Sequence, residues 1–467
     1  MSLYLYDLPT TGAISFADFC IDCSSEKLYT THISDATQTR ANLRGVLKES
    51  KRTDEKDYLK VVKILDEYLP RLRGIMACVA SGEIELKSEP IFSWRTTLSA
   101  NLFNTSPRLS LPSLHADYAY SLLTYAFALS NLARSKVDSL GAFERDRAIS
   151  DSERKAKEGQ LTVAADLLCR ASGIFSYVSD TVLIEWESAT SQSSSTTAFT
   201  KPPDVSREVN SALAKSSLAD AQTLAIRKLL SKSAYDSNVA PGPPLPKSHP
   251  SPTLISKLHL ECASLYSSAR TLAKTPSSVG KGNKTAKSNG SSVSSSLSRS
   301  VSADGEVSAD LRRYLHEETV FHDAMARKWL GVDAGENGGT ERGGDAVGFL
   351  VWSKKELEEL KGGRKKDSRV LEELDSVGVF LKHYKKVNDS LHFQPVPKQS
   401  DLQARIPTGR LVLTAKAYVP PQPAFGPDSV EDLRRQAEKL EFDDDSDAAE
   451  SGPRSGAGTY AGAGSYF

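Results

Sequence analysis

Cysteine is scarce, five among 467 residues, too few and too scattered for a disulfide scaffold. Charge of one sign is not in excess either, because 59 Lys and Arg meet 59 Asp and Glu. A dedicated nucleic-acid binder carries a basic surplus, so no nucleic acid is expected as partner, although a local basic patch is still allowed. Long apolar runs are missing. The longest uncharged stretch, Tyr118–Ala133, has 16 residues and contains Ser, Thr and Asn, short of the ~20 that span a bilayer. It reads as a buried helix of a soluble protein in a reducing compartment. The start, MSLYLYDLPTTG, lacks the basic and apolar regions of a signal peptide, and the end, Gly-Ser-Tyr-Phe, carries no prenylation box. At most peripheral membrane contact is expected.

The signatures of catalysis and of cofactor binding are also missing. Neither GxxxxGK[ST] nor GxGxxG occurs, so no Gly-rich phosphate cradle is expected. No cysteine is followed by Arg at the spacing of a phosphate-binding thiolate loop. Cys20-Ile-Asp-Cys23 is a lone CxxC without a second ligand pair, so neither metal nor cofactor is expected there. His316 and His322 are six apart and fall on different faces of one helix, unlike the i,i+4 pair of a metalloprotease. Ser24-x-x-Lys27 lacks its partner motifs. The chain is expected not to be an enzyme; a hydrolase built on Cys20 or Cys23 is the contrasting hypothesis.

What is present is helical periodicity. Apolar residues make up 39%, a little below an ordinary globular chain, which points to a packed core diluted by polar inserts. Leu3, Leu5, Ile14 and Phe16, with Pro9 and Gly12 between, suggest a short hairpin. From about Ala36 the period turns helical: Tyr58, Val61, Val62, Leu65, Tyr68, Leu69 and Leu72 recur at three and four. Ile91-Phe92-Ser93-Trp94 is a strand or an anchoring loop. Helices are predicted over Leu114–Phe143, Gln160–Trp186, Val205–Tyr235, Leu254–Ala273, Val307–Leu330, Ala346–Leu360, Val370–Leu391 and Val430–Leu440. The first of these is apolar nearly all round and belongs inside a helical array.

Three polar tracts, at about 188–203, 240–252 and 277–302, bury too little apolar surface to offset their ordering and read as flexible inserts. The first is Ser/Thr-rich. The second holds a minimal PxxP (Pro241 to Pro246) and reads as a linker. The third is Ser-rich beside Lys and Arg, where phosphorylation would add negative charge. Arg364-Lys365-Lys366 is a short solvated charge run. Beyond Phe393 the chain is extended and proline-rich to Pro427. The sum is mostly α, an array of paired antiparallel helices with a small N-terminal β element.

An ordered series of motifs resembles a known family. Lys328-Trp329-Leu330-Gly331-Val332-Asp333-Ala334-Gly335-Glu336-Asn337-Gly338-Gly339 is followed by Ala346-Val347-Gly348-Phe349-Leu350. Then come Tyr384-Lys385-Lys386-Val387-Asn388-Asp389, Phe393-Gln394-Pro395-Val396-Pro397, Ile406-Pro407-x-Gly409-Arg410 and Tyr418-Val419-Pro420-Pro421. Upstream, Ala171-Ser172-Gly173-Ile174-Phe175 and Leu218-Ala219-Asp220-Ala221-Gln222 match in order. The series resembles the Bro-one domain (ALIX-type) family of ESCRT adaptors over about 1–425, leaving 426–467 as a short helix with a disordered acidic, Gly-rich tail.

That resemblance implies a curved, mostly helical domain with a tetratricopeptide-like core. It implies a non-enzymatic adaptor that binds the C-terminal helix of an ESCRT-III subunit (Snf-seven or Vps-thirty-two type). The short remainder past 425, without a coiled-coil arm, resembles the fungal branch acting in ambient alkaline-pH signalling. That branch helps assemble a plasma-membrane pH-sensing complex. The protein would be cytoplasmic and recruited to the cell cortex or to endosomal membrane; an endosomal sorting adaptor of the same family is the alternative. The family's groove, carried over, falls on Phe175, Val178, Val182 and Leu183 with Thr181 nearby, and on Leu218 and Gln222 of the facing helix. Periodicity alone equally allows these residues to be core. Trp329, Gly331, Asp333 and Gly335 read as structural, with Gly331 as a left-handed helix cap. Asn388 and Asp389 are expected to fix the last helix to the extended segment, and Tyr418–Pro421 to wrap back over the helices.

Overall fold

The computed structural model describes residues 3–99, 107–192, 201–237, 242–274, 307–361 and 368–437. The Ser-rich tract 277–302, Arg364–Lys366 and the acidic tail from 443 lie outside the described residues, as does most of 193–203. The chain forms two compact units. The larger comprises Met1–Ile14, Gln38–Glu67 and Ser88–Pro420, and the smaller Ser15–Thr37, Tyr68–Lys87 and Pro421–Phe467. Helices α1 (Thr30–Arg52) and α2 (Tyr58–Ser81) contribute to both.

The larger unit is a series of helices, most packed on their neighbours in sequence. These are α3 (Leu114–Leu140), α4 (Asp151–Tyr177), α5 (Leu183–Gln192), α6 (Arg207–Asp236), α7 (Pro252–Leu272), α8 (Ala309–Asn337), α9 (Gly343–Lys361) and α10 (Ser368–Val387). Their starts are written locally. Ser150 and Glu153 form a reciprocal capping box on α4, and Ser206 and Ser308 cap α6 and α8. α3 is buried along most of its length, as its all-round apolar sequence requires. α4 packs on α3 and α6, α7 on α6 and α8, and α9 on α8 and α10. Among the described residues, one helix, Asp151–Ser191, is long and apolar enough to cross a membrane, and 67% of its most apolar window is buried in the array.

The expected N-terminal hairpin does not form. Residues 3–14 run extended and spend their hydrogen bonds on distant helices: Asn131 accepts from Tyr6 N at 2.9 Å and donates to Tyr6 O at 2.8 Å. Thr11 makes a single antiparallel bridge with Trp94, on β3 (Ile91–Arg95), which pairs with β4 (Arg108–Pro112). A buried ion pair locks this corner. Arg40 meets Asp117 at 2.8 Å with both side chains almost fully buried. Arg40 also donates to Gly12 O and Thr11 Oγ1, and Trp94 Nε1 donates to Asp117 at 2.7 Å. The further hydrogen bonds are what makes such a pair tolerable in the interior.

A second departure concerns Gly331. α8 does not end there; it continues to Asn337, and the left-handed glycine is Gly339 (φ +58°). Gly331 is glycine because α9 crosses at that point: a Cβ would lie 2.7 Å from Leu350 Cγ and 3.0 Å from Ala346 O. Of the Pro-rich tract, 242–252 is described, and His249 lies over Trp329 with ring centroids 4.7 Å apart.

In the smaller unit, β1 (Cys20–Asp22) pairs antiparallel with β2 (Ile84–Leu86). Asp22 then caps α1, accepting from Tyr29 N at 2.8 Å and Thr30 Oγ1 at 3.0 Å. Phe425 is buried against His32, ring on ring at 4.6 Å, and a short helix over 430–437 follows.

Candidate partner-helix site

Between α4 and α5 the helix widens into one π turn, Val178–Val182. Such turns recur at functional sites because they redirect side chains without ending the helix. The carbonyl of Ser179 accepts from Arg207 Nε at 3.2 Å, and the Ser179 hydroxyl is paired with Ser211 at 2.7 Å. α6 therefore holds the turn in register.

The residues expected to line a groove divide here. Phe175, Val178, Val182 and Leu183 have no exposed surface at all. Phe175 packs among Phe127 (5.8 Å between centroids) and Tyr6 (6.3 Å). They do not form an exposed strip; their stripe faces the interior, the core reading that periodicity allowed. What the turn leaves outside is Asp180, exposed, Thr181, half-buried, and Ile184, 39% exposed. On α6, Ser211, Lys215, Leu218 and Ala225 are half-buried and share a face, with Leu229 exposed beyond them.

Gln222 lies on that same face but is buried, and its role is different from a groove contact. Its Nε2 donates to Leu413 O at 2.9 Å, and its Oε1 accepts from Val412 N and Leu413 N at 3.2 and 3.3 Å. It pins the extended segment 406–420 across the helices. Arg410 N donates to Lys257 O on α7 (2.9 Å) and Lys416 N to Cys169 O on α4 (3.0 Å). Tyr418 meets Tyr177 with centroids at 5.2 Å. This strap presents Leu411, Val412 and Val419 outward. The accessible apolar surface of this face is thus composite, part helix and part strap.

Beneath it lies a polar set that sequence reasoning missed. Tyr266 and Tyr314 both donate to Asp220 Oδ1 at 2.5 Å. Burial pushes the Asp220 carboxyl up to about 7. His259 and His322 share a hydrogen bond at 2.8 Å between their Nδ1 atoms. Burial pushes His259 down to about 3, with Lys328 and Arg369 adding to it, and holds His322 well below the usual histidine range. Glu318 is held by Arg369 at 2.7 Å. The available signal was Asp220 itself, a carboxylate set among Leu213, Ala219, Ala221 and Leu224 on the apolar side of α6.

Three buried thiols have little nucleophilic character. Burial raises Cys20 and Cys78 to about 12 and Cys169 to about 11, which keeps them protonated near neutrality. Among the described residues, no group of three His, Cys, Asp or Glu is placed to hold a metal ion.

Comparisons with known proteins extend this picture. The model of the BRO1-like domain matches residues 20–435. The pH-response regulator protein palC of Cryptococcus neoformans var. neoformans is 37% identical, with the whole of both chains covered. Among solved structures, ALIX in complex with the SIVmac239 PYKEVTEDL late domain superposes with a TM-score of 0.62 at 14% identity over 95% of this chain. The chain spans 54% of the length of that ALIX molecule. The ALIX BRO1–CHMP4C complex gives a TM-score of 0.57 at 17% identity, covering 91% of this chain and 98% of that one. The helix order, the small strands and these matches agree: the chain belongs to the BRO1-like domain family.

Proposed function

We propose that this chain is a non-enzymatic adaptor of an ambient-pH response that binds the C-terminal helix of an ESCRT-III subunit. The observation that carries the reading is the full-length match to a pH-response regulator. A BRO1 neighbour of the same fold solved with CHMP4C supports the choice of partner. The docking face is the exposed surface around the π turn, with Ile184 and Leu218 as apolar contacts and Thr181 beside them, offered to the apolar stripe of a partner helix. Phe175, Val178, Val182 and Leu183 form the packed floor under that face, and Gln222 acts through the strap. By family resemblance the adaptor works in the cytoplasm. It is recruited to endosomal membrane or to the cell cortex, where it joins a plasma-membrane pH-sensing complex.

The test is calorimetric titration of the full chain with the C-terminal helical peptide of the ESCRT-III subunit. Saturable binding is expected, and Ile184→Asp with Leu218→Asp should weaken it at least ~100-fold by burying charge in an apolar contact. Absence of binding by folded parent protein removes the partner. Unchanged affinity of the double variant removes the face.

A further inference from the structure

α10 ends in a second wide turn, Asn388–His392, after which Phe393 stands at φ +53°, ψ +29°. A left-handed backbone is disfavoured for a bulky side chain and is ordinarily taken by Gly, Asn or Asp. Phe393 gains no packing in return, for its side chain is 74% exposed. Leu391, two residues earlier, is 70% exposed, and Val396 is exposed as well. The geometry is imposed from beneath by Asn388, as the sequence suggested. Asn388 is buried, donates to Gln394 O at 2.9 Å, accepts from Gln394 N at 3.2 Å, and its carbonyl accepts from Phe393 N at 2.7 Å. A clamped, strained turn that holds two large apolar side chains in water has the marks of a functional feature.

Its own stretch of sequence is basic, although the α8–α9 corner that packs on it carries Glu341 and Asp345. Lys382, Lys385, Lys386 and Lys398 stand against a single acidic residue, Asp389, over 382–398, in a chain with no net charge. Asp389 pairs with Lys385 at 2.6 Å. Lysines are depleted from the cores of protein interfaces, whereas hydrated ammonium groups beside an inserting aromatic suit an anionic bilayer surface. The feature is also a projection, and a projection enters a bilayer without needing a matching pocket.

We propose that this tip is a membrane-contact site. Leu391 and Phe393 enter the headgroup boundary of an anionic bilayer, and Lys386 and Lys398 meet acidic headgroups.

The full chain is sedimented with phosphatidylcholine vesicles, with and without about 30% phosphatidylserine, at low and high salt. Binding is expected only with phosphatidylserine and should weaken with salt. Phe393→Asn should weaken it about tenfold, and Leu391→Ser with Phe393→Asn should abolish it. Because Asn tolerates the left-handed backbone, Phe393→Asn should melt no lower than the parent, so lost binding would not report lost folding. Three results would overturn the site: no sedimentation of the parent with anionic vesicles, equal binding to neutral ones, or equal binding by the double variant. If the parent ignores vesicles but the double variant loses the ESCRT-III peptide, the tip is a protein contact instead.

Discussion

Asp220 carries a proton problem that a single substitution can expose. Its carboxyl is fully buried and accepts from Tyr266 and Tyr314, with Tyr6, Glu318 and Arg369 as further neighbours. Its folded pKa, about 7, stands above the unfolded value near 3.9. The folded state therefore binds this proton more tightly than the unfolded chain. Its contribution to stability is full below pH ~4 and is lost as pH rises to ~7, on the order of 4 kcal/mol. His259 and His322 act with the opposite sign, since their folded values are depressed; their contribution grows as pH rises toward ~6.5. Asp220→Asn leaves the histidines in place and removes only the carboxyl. The melting temperature of the variant minus that of the parent should therefore increase steadily from pH 4.5 to 7.5. A difference independent of pH would mean that Asp220 is ionised throughout, with Arg369 outweighing its burial.

At the scale of elements, the strap 406–420 is held by points rather than by a ladder. Gly173 lets it approach: a Cβ there would lie 1.7 Å from Lys416 O. Gln222 supplies three hydrogen bonds. Gln222→Ala should cost about 2 kcal/mol through unsatisfied strap groups and speed amide exchange at 412–413 while α4 and α6 stay protected. Equal protection in parent and variant would mean that the contacts of Arg410 and Lys416 suffice. The helices were legible because burial on one face repeats every three to four residues, but the start of α4 was placed at Gln160, nine residues late, because its polar first turns, capped by Ser150 and Glu153, carry no apolar period. The strap's attachment was not legible, since an extended segment over helices has no period and no strand partner. The same limit explains the groove residues. A stripe such as Phe175–Val178–Val182 records that one face is apolar; whether α3 or a partner covers that face depends on helices distant in sequence. Gly331 has the same origin, because its reason is Leu350, nineteen residues on.

For the whole molecule, the division into two units cuts across sequence order. The smaller unit takes three separate stretches of chain, and its last stretch begins at Pro421, close to where motif reading placed the end of the domain. Yet Phe425 is 2% exposed, Ser429 is equally buried, and the family match runs to 435. Within that unit Ala424 N donates to Pro70 O at 2.9 Å, and the Phe425 ring lies between His32 and Tyr29. Residues past 420 are therefore part of a core. Phe425→Ala removes the ring from a site closed on several sides, and its expected cost is about 3–4 kcal/mol. A small unit has a small total stability, so the loss should appear as local opening: faster amide exchange over 20–36 and 69–86, with 116–133 of α3 unchanged. Cooperative loss of protection in α3 as well would mean that the two units unfold as one body. No change anywhere would mean that Phe425 does not contribute to the core it occupies.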